Sequence, residues 1–348
     1  MEIIIGSIIT IGLIILGLIF KSSRILFFLQ FVWVLLIVSF NSGGIDYEGN
    51  EAIYLASSYF PTSLNSIFSN LLGYYSNSFG WDYQEYNLFV FGFSLLLLFY
   101  LIINKTSQPA TYGSLFLLFP FVSFVVQKRF FLASIYLLMS YILWGDKKYK
   151  KSVLSLIIAT GLHFSIIFSL PVFILDTLKK YRVFFAFIVL IVESYFVLFN
   201  RDLFISLAGD KGTVYINSNI SFMAAVLFII FQIMFILLYL YIRQRKEGKS
   251  KKWEYFDNRL QIYSLVFAPF LFFDATFFRY YEVVMLYSYI FIARSLYGSI
   301  SRNTITYYLS FGYLVLIGLF QFATIYFNSG NGWDDFLTTL FEYNTFLR

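Results

Sequence analysis

Long apolar runs separated by short polar connectors make up most of the chain, and most runs are long enough to cross a bilayer as a helix. The first run has no basic segment before it and no small-residue cleavage site, so we expect a retained helix and not a signal peptide. The pattern predicts an all-α, polytopic integral membrane protein with about 10–12 transmembrane or re-entrant helices. The predicted spans are 3–20, 25–40, 86–103, 110–126, 130–144, 183–199, 221–242, 259–273, 277–297 and 304–326.

One further apolar stretch, 153–178, is interrupted by Gly161, His163 and Pro171. Basic clusters flank it on both sides, at 145–151 and 178–182. Because basic connectors stay in the cytoplasm, the stretch is expected to enter and leave on the same side, as a pair of shortened helices or a re-entrant hairpin with its turn near His163 to Pro171. The alternative is one ordinary helix followed by a basic loop on the outside.

Lysines and arginines cluster in the connectors, which sets the predicted topology. Placing the basic connectors inside leaves all but six of the 25 lysines and arginines on the cytoplasmic side. The six external cations are Lys128, Arg129, Arg201, Lys211, Arg279 and Arg348. Residues 1–348 then form a single transmembrane domain with two long external loops, 41–85 and 200–220. Within the first loop, 62–75 is amphipathic and suits a helix on the outer leaflet, and the tail 327–348 also faces out.

Composition narrows the function classes. The chain is 59% hydrophobic and 13% charged, against about 25% charged in an ordinary soluble protein. It has no cysteine and one histidine, which excludes disulfide scaffolds, Cys-ligated metals and His-rich metal centres. The net charge of +6 is explained by membrane orientation, so we expect no nucleic-acid partner. No metal and no cofactor are expected.

The first candidate site follows the second span, at Gly43-Gly44-Ile45-Asp46-Tyr47. Two glycines before an acid and aromatic residues suit a tight turn that presents a carboxylate and stacking surfaces to a polar ligand. Asn50 and Tyr54 would add to it. The alternative is a solvated loop with an Asx-type turn.

The second candidate is the basic pair Lys128 and Arg129, directly before an apolar run. Charges against the membrane are costly to desolvate and are usually paired or functional. The planar fork of arginine matches phosphate oxygens, so an anionic ligand is the preferred interpretation. An ion pair with a nearby external acid is the alternative.

The third candidate is His163, because the near-neutral pKa of histidine suits a general base. Its alternative is a neutral ring hydrogen-bonded to a carbonyl. Four more residues face out near the end of the chain: Asp274, Arg279, Tyr280 and Glu282. Arg279 and Glu282 are three positions apart, so a local ion pair is an alternative for them.

These motifs occur in an order that resembles the EpsG-like, Wzy-type polysaccharide polymerases of bacterial envelopes. The matching segments, over roughly 40–300, are GGIDYEGNEAIY, KRFFLASIYLL, GDKKYKK, GLHFSIIFSLP and FFRYYEVVMLY. The chain departs from the family pattern at Phe130, where glutamine is common, and at Leu162, where phenylalanine is usual.

The resemblance implies glycosyl transfer at the outer face of the bacterial cytoplasmic (inner) membrane. A glycan on undecaprenyl diphosphate would pass to the sugar hydroxyl of a lipid-linked repeat unit, without metal and with inversion. Catalysis would fall to His163 as base and Asp46 as orienting group, and diphosphate binding to Arg129, Arg279 and Lys128. The substrate-binding candidates are Tyr47, Asn50, Tyr54, Tyr280, Glu282 and Asp274.

The expected partners are the undecaprenyl-diphosphate-linked oligosaccharide, membrane lipids, and a chain-length regulator and flippase of the same pathway. Three other functions stay open. A lipid-linked oligosaccharide flippase should show two related halves, which are not visible in the sequence. A membrane O-acyltransferase would place its histidine near the inner face. An O-antigen ligase would differ only in its acceptor.

Overall fold

The computed structural model describes residues 1–43, 47–61, 66–178, 181–199, 222–247, 255–295, 312 and 338–348. Over these ranges it is α-helical and contains no strand, which confirms the all-α prediction. Three helices are long and apolar enough to cross a membrane: Glu2–Ile19, Tyr83–Ile103 and Phe222–Gln244. The predicted span 304–326 and the loop 200–220 lie outside the described residues.

Fourteen α-helices are described, numbered here in chain order. They are α1 (Glu2–Ile19), α2 (Arg24–Phe40), α3 (Tyr47–Ala56), α4 (Ile67–Ser78), α5 (Tyr83–Ile103), α6 (Pro109–Leu118), α7 (Phe121–Val126), α8 (Lys128–Gly145), α9 (Tyr149–Leu162), α10 (Leu170–Thr177), α11 (Arg182–Phe199), α12 (Phe222–Glu247), α13 (Phe256–Tyr263) and α14 (Phe278–Ser295).

The helices fall into two compact units, one of Met1–Ile166 with Tyr289–Arg348 and one of Ile167–Ser288. The expectation of a single transmembrane domain stays a prediction.

In the first unit, small and polar side chains hold apolar helices together. The Gln30 amide nitrogen on α2 donates to Leu13 O at 3.0 Å on α1 and to Ala110 O at 3.1 Å on α6. Between α8 and α9, the Ser140 and Ser152 hydroxyls each donate to the other residue's carbonyl, at 2.9 and 2.8 Å. Small residues and buried hydroxyls are the usual means of joining helices where lipid removes the hydrophobic drive.

Two predicted spans are wrong in their continuity. The run 110–126 is divided into α6 and α7, with Phe119 and Pro120 between them. The run 259–273 is divided into α13 and two 3₁₀ turns, Ser264–Phe267 and Pro269–Phe272. In the first run Pro120 stands at the interruption, and proline has no N–H with which to continue a helix. In the second run the α-helix already ends at Tyr263, and Pro269 begins the second 3₁₀ turn.

The stretch 153–178 is likewise interrupted. Helix α9 ends at Leu162, a 3₁₀ segment covers Phe164–Ser169, and α10 begins at Leu170. The two units divide within this segment. The break lies where the sequence placed it, while the re-entrant path stays a prediction.

The amphipathic stretch 62–75 is described from residue 66 onwards, and its helix α4 begins at Ile67. Its buried side consists of Ser69, Gly73 and Ser76, and it packs on α3 and α9. Gly161 of α9 is required there, because a Cβ would lie 2.1 Å from the Phe68 ring.

The end of the chain is fastened to the C-terminal end of α2. Asn344 is fully buried, pairs with Asn41 in an isolated β-bridge, and donates its side-chain amide to Ile37 O at 3.0 Å. Thr345 N donates to Phe40 O at 2.9 Å. A Cβ on Gly43 would lie 2.5 Å from the Tyr343 side chain, so the approach requires glycine there. The sequence predicts only an external tail for this segment.

Candidate functional site

Helix α3 carries three of the predicted site residues. Tyr47, Asn50 and Tyr54 stand three and four positions apart in it, so they share one helical face. Just before the helix, Asn41 Oδ1 accepts a hydrogen bond from Gly43 N at 3.0 Å, which is an Asx-type turn. Segment 47–56 is thus helical, and the turn at Asn41 and Gly43 precedes it. Asp46 lies outside the described residues.

The face of α3 meets α4, α5 and the start of α8 around a narrow cleft. Its polar lining residues are Asn50, Ser57, Ser69, Asn87, Lys128 and Arg129, and its tyrosines are Tyr54, Tyr83 and Tyr86. Ile53, Val90, Phe91 and Leu132 supply apolar wall, and Gly73 completes the lining. The centre of a water molecule has about 20 Å³ of room inside, enough for an ordered water. The cleft thus unites two predicted clusters that are some eighty positions apart in sequence.

Lys128 is the first residue of α8 and precedes the apolar run. Its side chain is 2% exposed, and its Nζ donates to Asn41 O at 2.6 Å. The ammonium also lies 5.1 Å from the centre of the Tyr47 ring and 5.7 Å from that of Tyr83. Burial lowers the pKa of Lys128 from 10.5 to about 7, and the charge of Glu51 opposes this only in part. Its direct contacts in the described structure are therefore neutral groups.

Arg129 approaches the same cleft from the next position. Its Nε donates to Asn50 Oδ1 at 2.5 Å. This bond orients the amide, because only the oxygen of asparagine can accept it. The Asn50 NH₂ group is then left in the cleft wall with no hydrogen-bond partner among the described residues.

Asn87 on α5 presents a second buried amide to the cleft. Its side chain is 3% exposed, and it interacts with the Tyr83 hydroxyl. Asn50 is 5% exposed. A buried donor without an acceptor costs about 1–3 kcal/mol, so the Asn50 NH₂ group marks a place suited to an acceptor-bearing occupant.

Three buried tyrosine rings form one wall of the cleft. The Tyr54 centroid lies 5.5 Å from that of Tyr83 and 4.9 Å from that of Tyr86. The Tyr54 hydroxyl donates to Trp81 O at 2.6 Å, so it is engaged within the protein. Tyr47 donates to Glu51 Oε1 at 3.1 Å, and burial together with Glu51 raises its pKa to about 12. The aromatic faces are thus the main surface that these residues offer.

His163 is not among the residues that line this cleft. It terminates α9, and its ring packs edge-on against Phe130 with the centroids 5.6 Å apart. Its Nδ1 lies 2.7 Å from the Ser165 hydroxyl. When Nδ1 donates in this contact, the ring's lone pair is on Nε2, the arrangement a general base requires. Phe130, whose ring contacts the imidazole, is the residue that follows Arg129 in the sequence.

The other four predicted site residues belong to the second unit. Tyr280 and Glu282 are fully buried, and Asp274 and Arg279 are nearly so. Asp274 Oδ1 accepts from Thr276 N at 2.7 Å, which caps the turn that precedes α14. The Arg279 guanidinium lies 5.6 Å from the centre of the Tyr280 ring. The convergence of Arg279 with Arg129 and His163 stays a prediction, and so does the alternative ion pair between Arg279 and Glu282.

Sequence reasoning missed Tyr83, Tyr86 and Asn87, the contribution of α5. A signal was present, because a polar first turn, WDYQEYN, opens an apolar span. Asp82 caps that turn in a reciprocal capping box with Glu85. Tyr83, Tyr86, Asn87 and Val90 stand at helical spacing along α5, so they share one face of the helix, and all four line the cleft. The described residues contain no group of three His, Cys, Asp or Glu side chains able to hold a metal ion.

A model of the EpsG family matches residues 24–345, almost the whole chain. The chain belongs to the EpsG family. Membership assigns it a polysaccharide polymerase-like function in general terms, and a glycosyltransferase-like chemistry at the same coarse level. With its apolar helices, it is a membrane protein of polysaccharide biosynthesis. No curated protein and no solved structure matches it.

Proposed function

We propose that this EpsG-family protein polymerises a capsular, O-antigen or exopolysaccharide at the outer face of the cytoplasmic membrane. The donor glycan is carried on undecaprenyl diphosphate, and the acceptor is a sugar hydroxyl of a lipid-linked repeat unit. The observation that carries the proposal is the cleft itself. There, two cations without an acidic residue among the described lining side chains meet a wall of tyrosines.

The charges of the cleft suit the leaving group of such a reaction. As the bond from the anomeric carbon to the diphosphate oxygen breaks, negative charge develops on that oxygen. The guanidinium of Arg129, held by Asn50, is positioned to stabilise it. Protein cations supply this stabilisation without a requirement for metal.

The acceptor oxygen forms the new bond to the anomeric carbon as the old one breaks, and its proton passes to a base. His163, oriented through Ser165, is our candidate for that base. Asp46 is the alternative base or a group that orients the acceptor. A single displacement of this kind inverts the anomeric centre. Four residues of the second unit keep their proposed roles. Arg279 would bind the diphosphate, and the substrate would contact Asp274, Tyr280 and Glu282.

The deciding experiment replaces Arg129 by alanine and by lysine in cells that depend on this gene for polymer. We expect single lipid-linked repeats to accumulate and polymer to disappear with Arg129→Ala, while Arg129→Lys restores only part of the polymer because it lacks the planar fork. The matched control is Arg348→Ala, since Arg348 is an exposed arginine that donates only to Glu342 O among the contacts described for it.

Each outcome has a defined meaning. Unchanged polymer length in Arg129→Ala, with protein present at normal levels, contradicts the proposal. Loss of lipid-linked repeats from the outer leaflet, and not of their joining, would indicate the flippase alternative.

A further inference from the structure

Three connectors of the first unit meet at one end of its helices. Ala110 N donates to Lys21 O at 3.1 Å, which joins the connector after α5 to the connector after α1. Lys105 pairs with Asp146, which joins the connector after α5 to the one between α8 and α9. This end of the unit carries one acidic residue, Asp146, and its basic residues are Lys21, Arg24, Lys105, Lys147, Lys148, Lys150 and Lys151.

The lysines at the start of α9 are exposed, and we call them the lysine face: Lys147, Lys148, Lys150 and Lys151. Asp146 pairs with Lys105 and lies 3.8 Å from Lys148 Nζ, so its charge is already shared. The other three lysines form no ion pair with any residue that the structure describes. The fold therefore leaves positive charge on this face that an anionic partner would offset.

The outward side of α9 continues from the lysine face as an apolar strip. Val153, Leu154 and Ile157 are all exposed. They stand three, four and seven positions after Lys150, so the strip and Lys150 share one helical face. An exposed apolar strip on a helix of a membrane protein suits contact with lipid chains. The side of α9 that packs against α8 is buried and consists of Ser152, Ser155, Ala159 and Leu162.

Charge and apolar surface together favour one class of partner. A phospholipid carries a phosphate at the membrane surface and acyl chains beside the helix, and basic segments next to membrane helices attract anionic headgroups. A soluble anion or an acidic protein would use the lysines alone and leave the strip unused.

We propose that α9 binds an anionic phospholipid of the phosphatidylglycerol type. The phosphate lies at Lys150 and Lys151, and the acyl chains lie along Val153, Leu154 and Ile157. The inference goes beyond the proposed function and does not depend on it, because neither the lysine face nor the strip lines the cleft.

The test measures lipid binding to the purified full-length protein in a neutral detergent, by native mass spectrometry with added lipid. The probes are palmitoyl-oleoyl phosphatidylglycerol, phosphatidylcholine with the same chains, and glycerophosphoglycerol, which is the headgroup without chains. A lysine near a membrane surface strengthens the binding of anionic lipid about fivefold. With two lysines at the phosphate, we expect phosphatidylglycerol to bind at least about tenfold more tightly than phosphatidylcholine, and the free headgroup to bind more weakly than the whole lipid.

The decisive variant is Lys150→Gln/Lys151→Gln. Both side chains are exposed, so the fold should stay intact, and phosphatidylglycerol should bind at least about fivefold more weakly while phosphatidylcholine binding is unchanged. Lys150→Arg/Lys151→Arg keeps both charges and should keep the preference. Arg348→Gln is the matched control, because it removes an exposed cation from the end of the chain and leaves the lysine face intact.

Three results overturn the inference. One is equal binding of the two lipids by the wild-type protein, which would leave the lysines a role in membrane topology alone. Another is binding of the free headgroup as tightly as the whole lipid, which would assign the lysine face to a soluble anion. The last is an unchanged preference for phosphatidylglycerol in Lys150→Gln/Lys151→Gln.

Discussion

The positively charged side chains of this protein lie in two kinds of surroundings. Lys105 pairs with Asp146 in the first unit, and in the second unit Arg243 pairs with Asp257 and Arg259 with Asp176. In the cleft, Lys128 is held by a carbonyl oxygen and two tyrosine rings, and Arg129 donates to an amide oxygen. Carboxylates neutralise the charges of Lys105, Arg243 and Arg259. The groups that contact Lys128 directly are uncharged, so they do not neutralise its ammonium group.

This difference separates the cations paired with carboxylates from the cations of the proposed site. A buried ion pair contributes to the fold through both partners and is damaged by the loss of either. A cation held by neutral groups carries a desolvation cost that the fold alone does not repay, and an anionic ligand would offset it. Substitutions in the two regions should therefore act in opposite directions on stability and on activity.

The largest stability effect should follow Arg259→Ala. It leaves Asp176, only 9% exposed, without the guanidinium that donates to it at 2.6 Å. We expect a loss of about 3 kcal/mol in the free energy of unfolding. Denaturant unfolding in detergent micelles measures it, and the double variant Arg259→Ala/Asp176→Asn should recover much of the loss. No recovery would show that the pair is not the source of the effect.

Lys128→Met should act in the opposite sense and stabilise the protein. The folded protein holds Lys128 with a pKa of about 7 against 10.5 for the exposed side chain, so between these values the unfolded chain binds more protons. Wild-type stability therefore rises with pH across this window, and below pH 7 the full cost of burial applies.

The gain from Lys128→Met should be on the order of 2 kcal/mol below pH 7 and shrink towards pH 10. Unfolding at pH 6 and pH 9 measures it. Glu51, Tyr47, Tyr83 and Arg129 are the titratable or charged groups around Lys128. Because Glu51 raises the pKa of Lys128, Glu51→Gln should lower that pKa further and extend the window of pH dependence to lower pH. A gain that grows with pH would contradict the assignment.

A smaller loss should follow Asn344→Ala at the end of the chain. The side-chain amide of Asn344 reaches Ile37 O at 3.0 Å, and Asn344 pairs with Asn41, whose carbonyl holds Lys128. We expect a loss of about 1 kcal/mol, together with reduced polymer length. Tyr343→Ala at a half-exposed neighbouring position is a comparison that leaves the amide in place. If the Asn344→Ala protein is unstable but still makes polymer of wild-type length, the end of the chain does not influence the function of the cleft.

The smallest effect should follow Ser152→Ala, which removes one of two reciprocal hydrogen bonds between α8 and α9. Hydrogen bonds between membrane helices contribute about 0.6 kcal/mol on average. Activity should stay at the wild-type level, because neither Ser140 nor Ser152 lines the cleft. A large loss of activity at normal expression would show that the α8–α9 contact positions Arg129.

Much of the architecture was predictable because it rests on local composition. Apolar length predicted α1, α2, α5, α8 and α12 to within a few residues. In one of the two wrong spans the cause is a proline, which hydropathy does not register: Pro120 has no N–H with which to continue the hydrogen bonding of α6. In the other, α13 ends at Tyr263, before Pro269. The chain-terminal segment was missed because its bonds to α2 join residues some three hundred positions apart.

The site was predictable in part. Asn50, Tyr54, Lys128 and Arg129 were predicted from their residue types and their unusual positions, and the structure places them in the lining of one cleft. Tyr47 lies outside the lining and contacts Lys128. Asn87 was not predicted, although the polar first turn of α5, which carries it, was a signal. His163 was found, and its place behind Phe130 instead of in the lining depends on how α8 meets α9.

By itself, the sequence determined that the chain is helical and lies in a membrane, since these properties follow from hydropathy over short windows. The external placement of its cations stays a prediction. Only the tertiary structure decided that Asn50 accepts from Arg129, and that its NH₂ group is left without an acceptor among the described residues. The direction in which an amide points depends on its partner across the fold. Residue type sets which bonds a side chain can make, and packing sets which ones it leaves unmade.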